Sequence, residues 1–123
     1  MRFTLENGTH VNTVRAYSAE ALHIGEQVVR ASCIVSAEQL VSVWAPQRIE
    51  DLEVAHLEPL FALEPQVVLM GTGARQRFAS AAVRAAFGAH AIGLEVMDLG
   101  AACRTFNVLV HEDRRVAAAL FLA

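Results

Sequence analysis

The sequence of 123 residues predicts an α/β fold with a mainly parallel sheet preceded by β-hairpin strands. Before Pro46, short β-branched segments are separated by Ser, Glu and Gly, which is typical of hairpins. After Pro46, apolar runs of strand length alternate with helical patterns, and the short connections imply right-handed crossovers and parallel strands. With 54% hydrophobic residues, the chain can fill the core of one domain spanning residues 1–123.

The first half of the chain is expected to form two or three hairpin-like strands and then a helix. The strand candidates are the segments NTVRAY, LHIG, QVVRASCIV and LVSVW. Residues 49–63 predict a short, interrupted helix, because their leucines mostly follow helical spacing while Pro59 would break or begin a helix.

The second half alternates strands and helices. The apolar run QVVLMG predicts a central strand covered on both faces. Residues 78–87 predict a helix, which Gly88 is expected to end. The segment IGLEVM predicts the next strand, taken to be buried, and a helix follows it. The segment RRVAAALFL is apolar on both faces and predicts another interior strand.

Composition and charge exclude several functional classes. The net charge is -3 and no basic cluster exceeds Arg114 and Arg115, which argues against nucleic-acid binding. The longest apolar run has eight residues, too short for membrane insertion, and MRFTLENGTH resembles no targeting signal. Cys33 and Cys103 form no CxxC motif, so we expect neither a disulfide nor a metal site, and a reducing, cytoplasmic setting. We also expect a soluble protein without a cofactor.

Two loops at the ends of predicted strands are candidates for a binding site, because ligands of open α/β sheets bind beyond the carboxyl ends of strands. The loop GTGARQR is a tight turn or, alternatively, an anion site whose glycines expose backbone N–H groups. The loop MDLGA begins a helix at which Asp98 is expected to be the N-cap. Cys103 lies on the apolar stripe of that helix and is expected to be a packed thiol.

Glu95 and Arg104 leave two interpretations open. A carboxylate in a buried strand needs a partner, so the two side chains form either a structural ion pair or a pair that grips a ligand.

The segments QVVLMGTG and GLEVMDLGAACRTFNVLVHEDRRVAAALFL resemble the domain family of unknown function number 498, the Mth938-like domain family. The resemblance implies a three-layer domain with a mixed central sheet. It also implies an assembly role exerted through protein contacts rather than catalysis, because the family includes assembly factors of respiratory complex I and an adipogenesis-associated relative. The positions it marks as characteristic are Gly71, Thr72, Gly73, Glu95, Met97, Asp98, Arg104, Thr105 and Asn107.

The favoured function is a non-enzymatic interaction or assembly-type domain with a protein partner, because no complete nucleophile–base constellation is present. The alternative is a binder of an anion or small molecule, or an enzyme, with Arg104 holding the ligand and Glu95 acting as acid or base. Its candidate crevice consists of Gly71, Thr72, Gly73, Glu95, Asp98 and Arg104. A third possibility is a redox role for Cys103. The sequence indicates neither the identity of a partner nor the oligomeric state.

Overall fold

Two β sheets contain all the strands in the computed structural model, which describes residues 11–123. The expectation about MRFTLENGTH therefore lies outside the described residues. The smaller sheet is antiparallel and consists, in order, of β1 (Val14–Tyr17), β2 (Leu22–Ile24) and β3 (Gln27–Val29). The larger sheet contains β4 (Cys33–Ser36), β5 (Leu40–Val41), β6 (Val67–Thr72), β7 (Gly93–Met97) and β8 (Val116–Phe121).

The larger sheet is mixed, with the strand order β5-β4-β8-β6-β7. Strand β6 is parallel to both β7 and β8, whereas β4 is antiparallel to β8 and β5. The predicted interior strands are confirmed, because β6 and β8 each lie between two neighbours and every residue of β8 is buried. Strand β7 is an edge strand, which corrects the expectation that IGLEVM is buried.

The part of the N-terminal half that the structure describes holds five strands rather than two or three. The difference arises within QVVRASCIV, which contains both β3 and β4 and passes from one sheet to the other. Ser32 lies between β3 and β4 and is buried. Its backbone N–H donates to the side chain of Gln47, and its hydroxyl donates to the carbonyl oxygen of Pro46, so both donors of this buried residue are satisfied.

Three α-helices accompany the sheets within the described residues: α1 (Glu58–Ala62), α2 (Ala81–Ala89) and α3 (Leu99–His111). The interrupted helix is confirmed, because two 3₁₀ turns at Ile49–Asp51 and Val54–Leu57 precede α1. Helix α2 begins three residues later than predicted, since the Ser80 hydroxyl accepts from the N–H of Val83 and caps it there. Gly88 lies inside α2 and does not end it.

The larger sheet separates two apolar cores and makes the fold three-layered. On one face it packs against α3 and the β1-β2-β3 sheet, with Phe106, Leu69 and Ala118 among the buried side chains. On the other face it packs against α1, α2 and the 3₁₀ turns, with Phe87 and Met70 in the core. Strands β6 and β7 are parallel, and α3 begins directly after β7. The carboxyl ends of both strands therefore lie beside the start of α3.

Candidate functional site

A cleft of about 340 Å³ lies where β1, the loop after β6 and the start of α3 meet. Three of the six predicted crevice residues line it, namely Gly73, Asp98 and Arg104. Residues 17–19 at the end of β1 form the opposite wall. The cleft thus lies at the carboxyl edge of the parallel strands, where α/β folds commonly bind ligands.

Asp98 is the N-cap of α3, as predicted. One of its carboxylate oxygens, Oδ1, accepts from the backbone N–H of Ala101 at 2.8 Å. The neighbouring N–H of Leu99 donates to the carbonyl oxygen of Gly73 at 2.8 Å, which ties the loop after β6 to the helix start. Because the carboxylate satisfies a helix-start N–H group that has no acceptor within the helix, Asp98 has a structural role in the cleft wall.

The predicted ion pair between Arg104 and Glu95 is absent from the described residues. The guanidinium Nη1 of Arg104 instead donates to the hydroxyl of Tyr17 at 2.9 Å. Glu95 is exposed on the edge strand β7 and does not line the cleft. The expectation that Glu95 is a buried carboxylate needing a partner is therefore wrong. Strand β7 lies at the edge of the sheet, where the Glu95 side chain is exposed to solvent.

Gly71 and Thr72 also lie outside the cleft, because both belong to β6 and are buried. A Cβ atom at Gly71 would lie 2.9 Å from the Cβ of Ala102, so this glycine allows α3 to approach the sheet closely. The Thr72 hydroxyl accepts from the N–H of Arg77 at 2.9 Å and lies 2.9 Å from the carbonyl oxygen of Arg75. Gly71 therefore serves the packing of α3 on the sheet, and the Thr72 hydroxyl holds the loop after β6.

Gly73 is the glycine that turns the chain, with a φ angle of +79°. Helix α2 begins only at Ala81, so the loop GTGARQR does not open the following helix as a phosphate-binding loop would. The anion interpretation of this loop is therefore not supported by its geometry.

Asn107 and Tyr17 each join β1 to α3 by hydrogen bonds. The resemblance marks Asn107 as characteristic, and Tyr17 lines the cleft. The side chain of Asn107 accepts from the N–H of Val14 at 2.8 Å and donates to the carbonyl oxygen of Val14 at 2.9 Å. Tyr17 was not predicted as a site residue, and no sequence signal indicates it, since it lies 87 residues from Arg104.

Both cysteines are buried, which confirms the prediction of a packed thiol for Cys103. Burial raises the pKa of the Cys33 thiol to about 12 and, although the charge of Arg104 partly opposes it, that of Cys103 also to about 12. A thiol with such a pKa holds almost no thiolate at neutral pH, so the redox hypothesis for Cys103 is not supported.

Comparison with known protein families covers most of the chain. The family model described as "Protein of unknown function (DUF498/DUF598)" matches residues 14–121. The chain belongs to this family. In this chain, Gly71, Asp98 and Asn107, which the resemblance marks as characteristic, serve helix packing, a helix cap and the hydrogen bonds to β1.

Similar proteins agree with this assignment. The chain is 35% identical over 109 residues to a Danio rerio protein named NADH dehydrogenase [ubiquinone] 1 alpha subcomplex assembly factor 3, covering 87% of this chain and 62% of the relative. An NMR structure from Xanthomonas campestris is 38% identical, with a TM-score of 0.84 and coverage of 99% and 92%. A Bordetella pertussis Mth938-like domain is 28% identical, with a TM-score of 0.81 and coverage of 98% and 92%. The family and the three-layer fold are thus both confirmed.

Proposed function

We propose that this protein is an assembly-type factor that acts by binding protein partners rather than by catalysis. The observation that carries the proposal is the 35% identity to a relative named as a complex I assembly factor. That relative is longer than the matched region, which spans 62% of it, so the proposal concerns the shared domain. Subunits of an NADH dehydrogenase complex are the partners that the relative's name supports.

The side chains of the domain support this proposal. Of the polar residues predicted for the crevice, Asp98 caps α3 and Thr72 holds the loop after β6. Several large apolar side chains are instead exposed, with Val43 at 91% and Phe78 at 80% of their surface. Exposed apolar side chains are common on protein surfaces but are also what a contact surface uses.

The test is deletion of the gene in its own cell, followed by native gel electrophoresis of the NADH dehydrogenase complex. We expect less mature complex and an accumulation of subcomplexes, both reversed by the native gene. An unchanged amount of mature complex would refute the proposal.

None of the helices in the described part of the chain is long and apolar enough to cross a membrane. We further propose that residues 1–123 act as one domain in the cytoplasm, which cell fractionation can check.

A second candidate function is binding of a small anion in the cleft. The cleft of about 340 Å³ is large enough for a small molecule, and the exposed guanidinium of Arg104 lines it. Thermal shift assays with phosphate and small carboxylates, run on the native protein, Arg104→Ala and the control Arg84→Ala, test this candidate. Stabilisation that Arg84→Ala keeps and Arg104→Ala loses would support it. Equal shifts in all three proteins would refute it.

A further inference from the structure

The outer edge of β7 is an open end of the larger sheet. Strand β7 pairs only with β6, and no other strand of residues 11–123 pairs with its far side. Such an edge presents backbone N–H and carbonyl groups that an extended chain can bind.

The hydrogen bonds of β7 identify the groups that point outward. The N–H of Gly93 donates to the carbonyl oxygen of Gln66, the residue before β6, so the backbone groups of Gly93 point toward β6. In a parallel pair, the backbone groups of alternate residues face the same neighbour, so Glu95 and Met97 also bond toward β6. The N–H and carbonyl groups of Leu94 and Val96 therefore point to the free edge.

The side chains of β7 alternate in the opposite sense, across the two faces of the sheet. Leu94 and Val96 are half-buried against the core on the α2 side. Glu95 is the single charged residue of β7, and it is exposed on the other face. The edge thus combines two apolar side chains on one face with one carboxylate between them on the other.

This arrangement disfavours a second copy of the chain. Two antiparallel copies of β7 can pair the outward backbone groups of Leu94 and Val96 with each other in one register only. In that register, Leu94 of one copy lies opposite Val96 of the other. That register sets Glu95 directly opposite Glu95 in a non-hydrogen-bonded pair, where Cα atoms are about 4.5 Å apart. Like charges in this position are destabilising.

We propose that the outer edge of β7 binds an extended segment of a protein partner in antiparallel pairing, with a Lys or Arg opposite Glu95 and apolar residues on both sides of it. The basic side chain would pair with Glu95, and the flanking apolar side chains would extend the surface of Leu94 and Val96. This inference rests on the proposed function, since it names the chemistry by which the assembly factor recognises a partner.

The test uses two synthetic peptides, acetyl-TVKVT-amide and acetyl-TVEVT-amide, titrated into the full chain by amide NMR. We expect the lysine peptide to shift the amide resonances of Leu94 and Val96 and to bind about threefold or more tightly than the glutamate peptide. Glu95→Lys should reverse this preference, whereas the control Glu26→Lys, which changes the same charge on the turn before β3, should keep it. The printed sequence contains no lysine, so carbodiimide coupling of the peptide's lysine to Glu95 gives a second readout by mass spectrometry.

Val96→Pro removes one outward N–H group and should abolish binding of both peptides. If this variant does not fold, the charge exchange at Glu95 still decides the matter. Equal affinities for both peptides, no response at Leu94 and Val96, or self-association of the native chain through these amides would overturn the proposal. In the deletion strain, full rescue by both Glu95→Lys and Val96→Pro would refute this docking site and leave the assembly function intact. A deletion without phenotype would refute the assembly function instead.

Discussion

Ala118, Leu69 and Glu95 lie side by side in one row across β8, β6 and β7. They point to the same face of the sheet, yet Ala118 is 0% exposed, Leu69 is 1% exposed and Glu95 is exposed to solvent. Strand β8 has a neighbour on each side and β7 has only one. The comparison teaches that position within the sheet, rather than the pattern of a strand, decides whether a charge is tolerated.

The largest expected effect comes from placing the charge of the edge residue on β8, the central strand of the sheet. Ala118→Glu should cost more than about 4 kcal/mol or prevent folding, because a carboxylate between α3 and β8 has neither water nor a partner. Urea unfolding followed by circular dichroism measures the loss. A folded variant of near-native stability would show that the centre of the sheet admits water.

The two strands should also differ when a leucine is truncated. Leu120→Ala on β8 is expected to lower the free energy of unfolding by about 2–5 kcal/mol, because Leu120 is fully buried. Leu94→Ala on β7 should cost about 1–2 kcal/mol, since Leu94 is only half-buried. Urea unfolding measures both losses, and equal losses would contradict the difference between the centre and the edge of the sheet.

The buried face beneath α3 should make the protein sensitive to alkali. The pKa of both Cys33 and Cys103 is raised from 9.0 to about 12, so above pH 9 the unfolded chain loses thiol protons that the folded chain keeps. Stability should therefore fall as the pH rises from 9 toward 12, by about 1.4 kcal/mol per pH unit for each cysteine. Unfolding in urea at about pH 8 and about pH 10.5 measures this slope.

The matched control is the double variant Cys33→Ala with Cys103→Ala, which should lose most of the slope. The sequence contains no lysine and one tyrosine, so few other side chains titrate in this range. An identical slope in both proteins would show that the thiols ionise freely in the folded state.

The smallest effect is expected at the edge itself. Glu95→Ala should change the free energy of unfolding by no more than about 0.5 kcal/mol, because the side chain is exposed and forms no ion pair with any described residue. Thermal unfolding of both proteins at one pH is the measurement. A clear loss of stability would assign Glu95 a structural partner and would weaken the docking proposal.

Much of the fold could be predicted from local patterns. The apolar runs of β6 and β8, the cap at Asp98 and the interruption near Pro59 all depend on residues close in sequence. The start of α2 was misplaced because residues 78–80 continue the apolar spacing, while the Ser80 cap starts the helix at Ala81. Three of the six residues predicted for the crevice line one cleft, because strand ends and helix starts are local features.

The sequence by itself determined the family, the α/β class and the burial of Cys103, because apolar periodicity and short motifs follow from the covalent order of the chain. Only the tertiary structure decided that β7 is an edge, that Glu95 faces water and that Arg104 meets Tyr17. These outcomes depend on the order of strands in space and on contacts between residues distant in the chain. Side-chain periodicity is the same for a central and an edge strand, so it cannot carry that information.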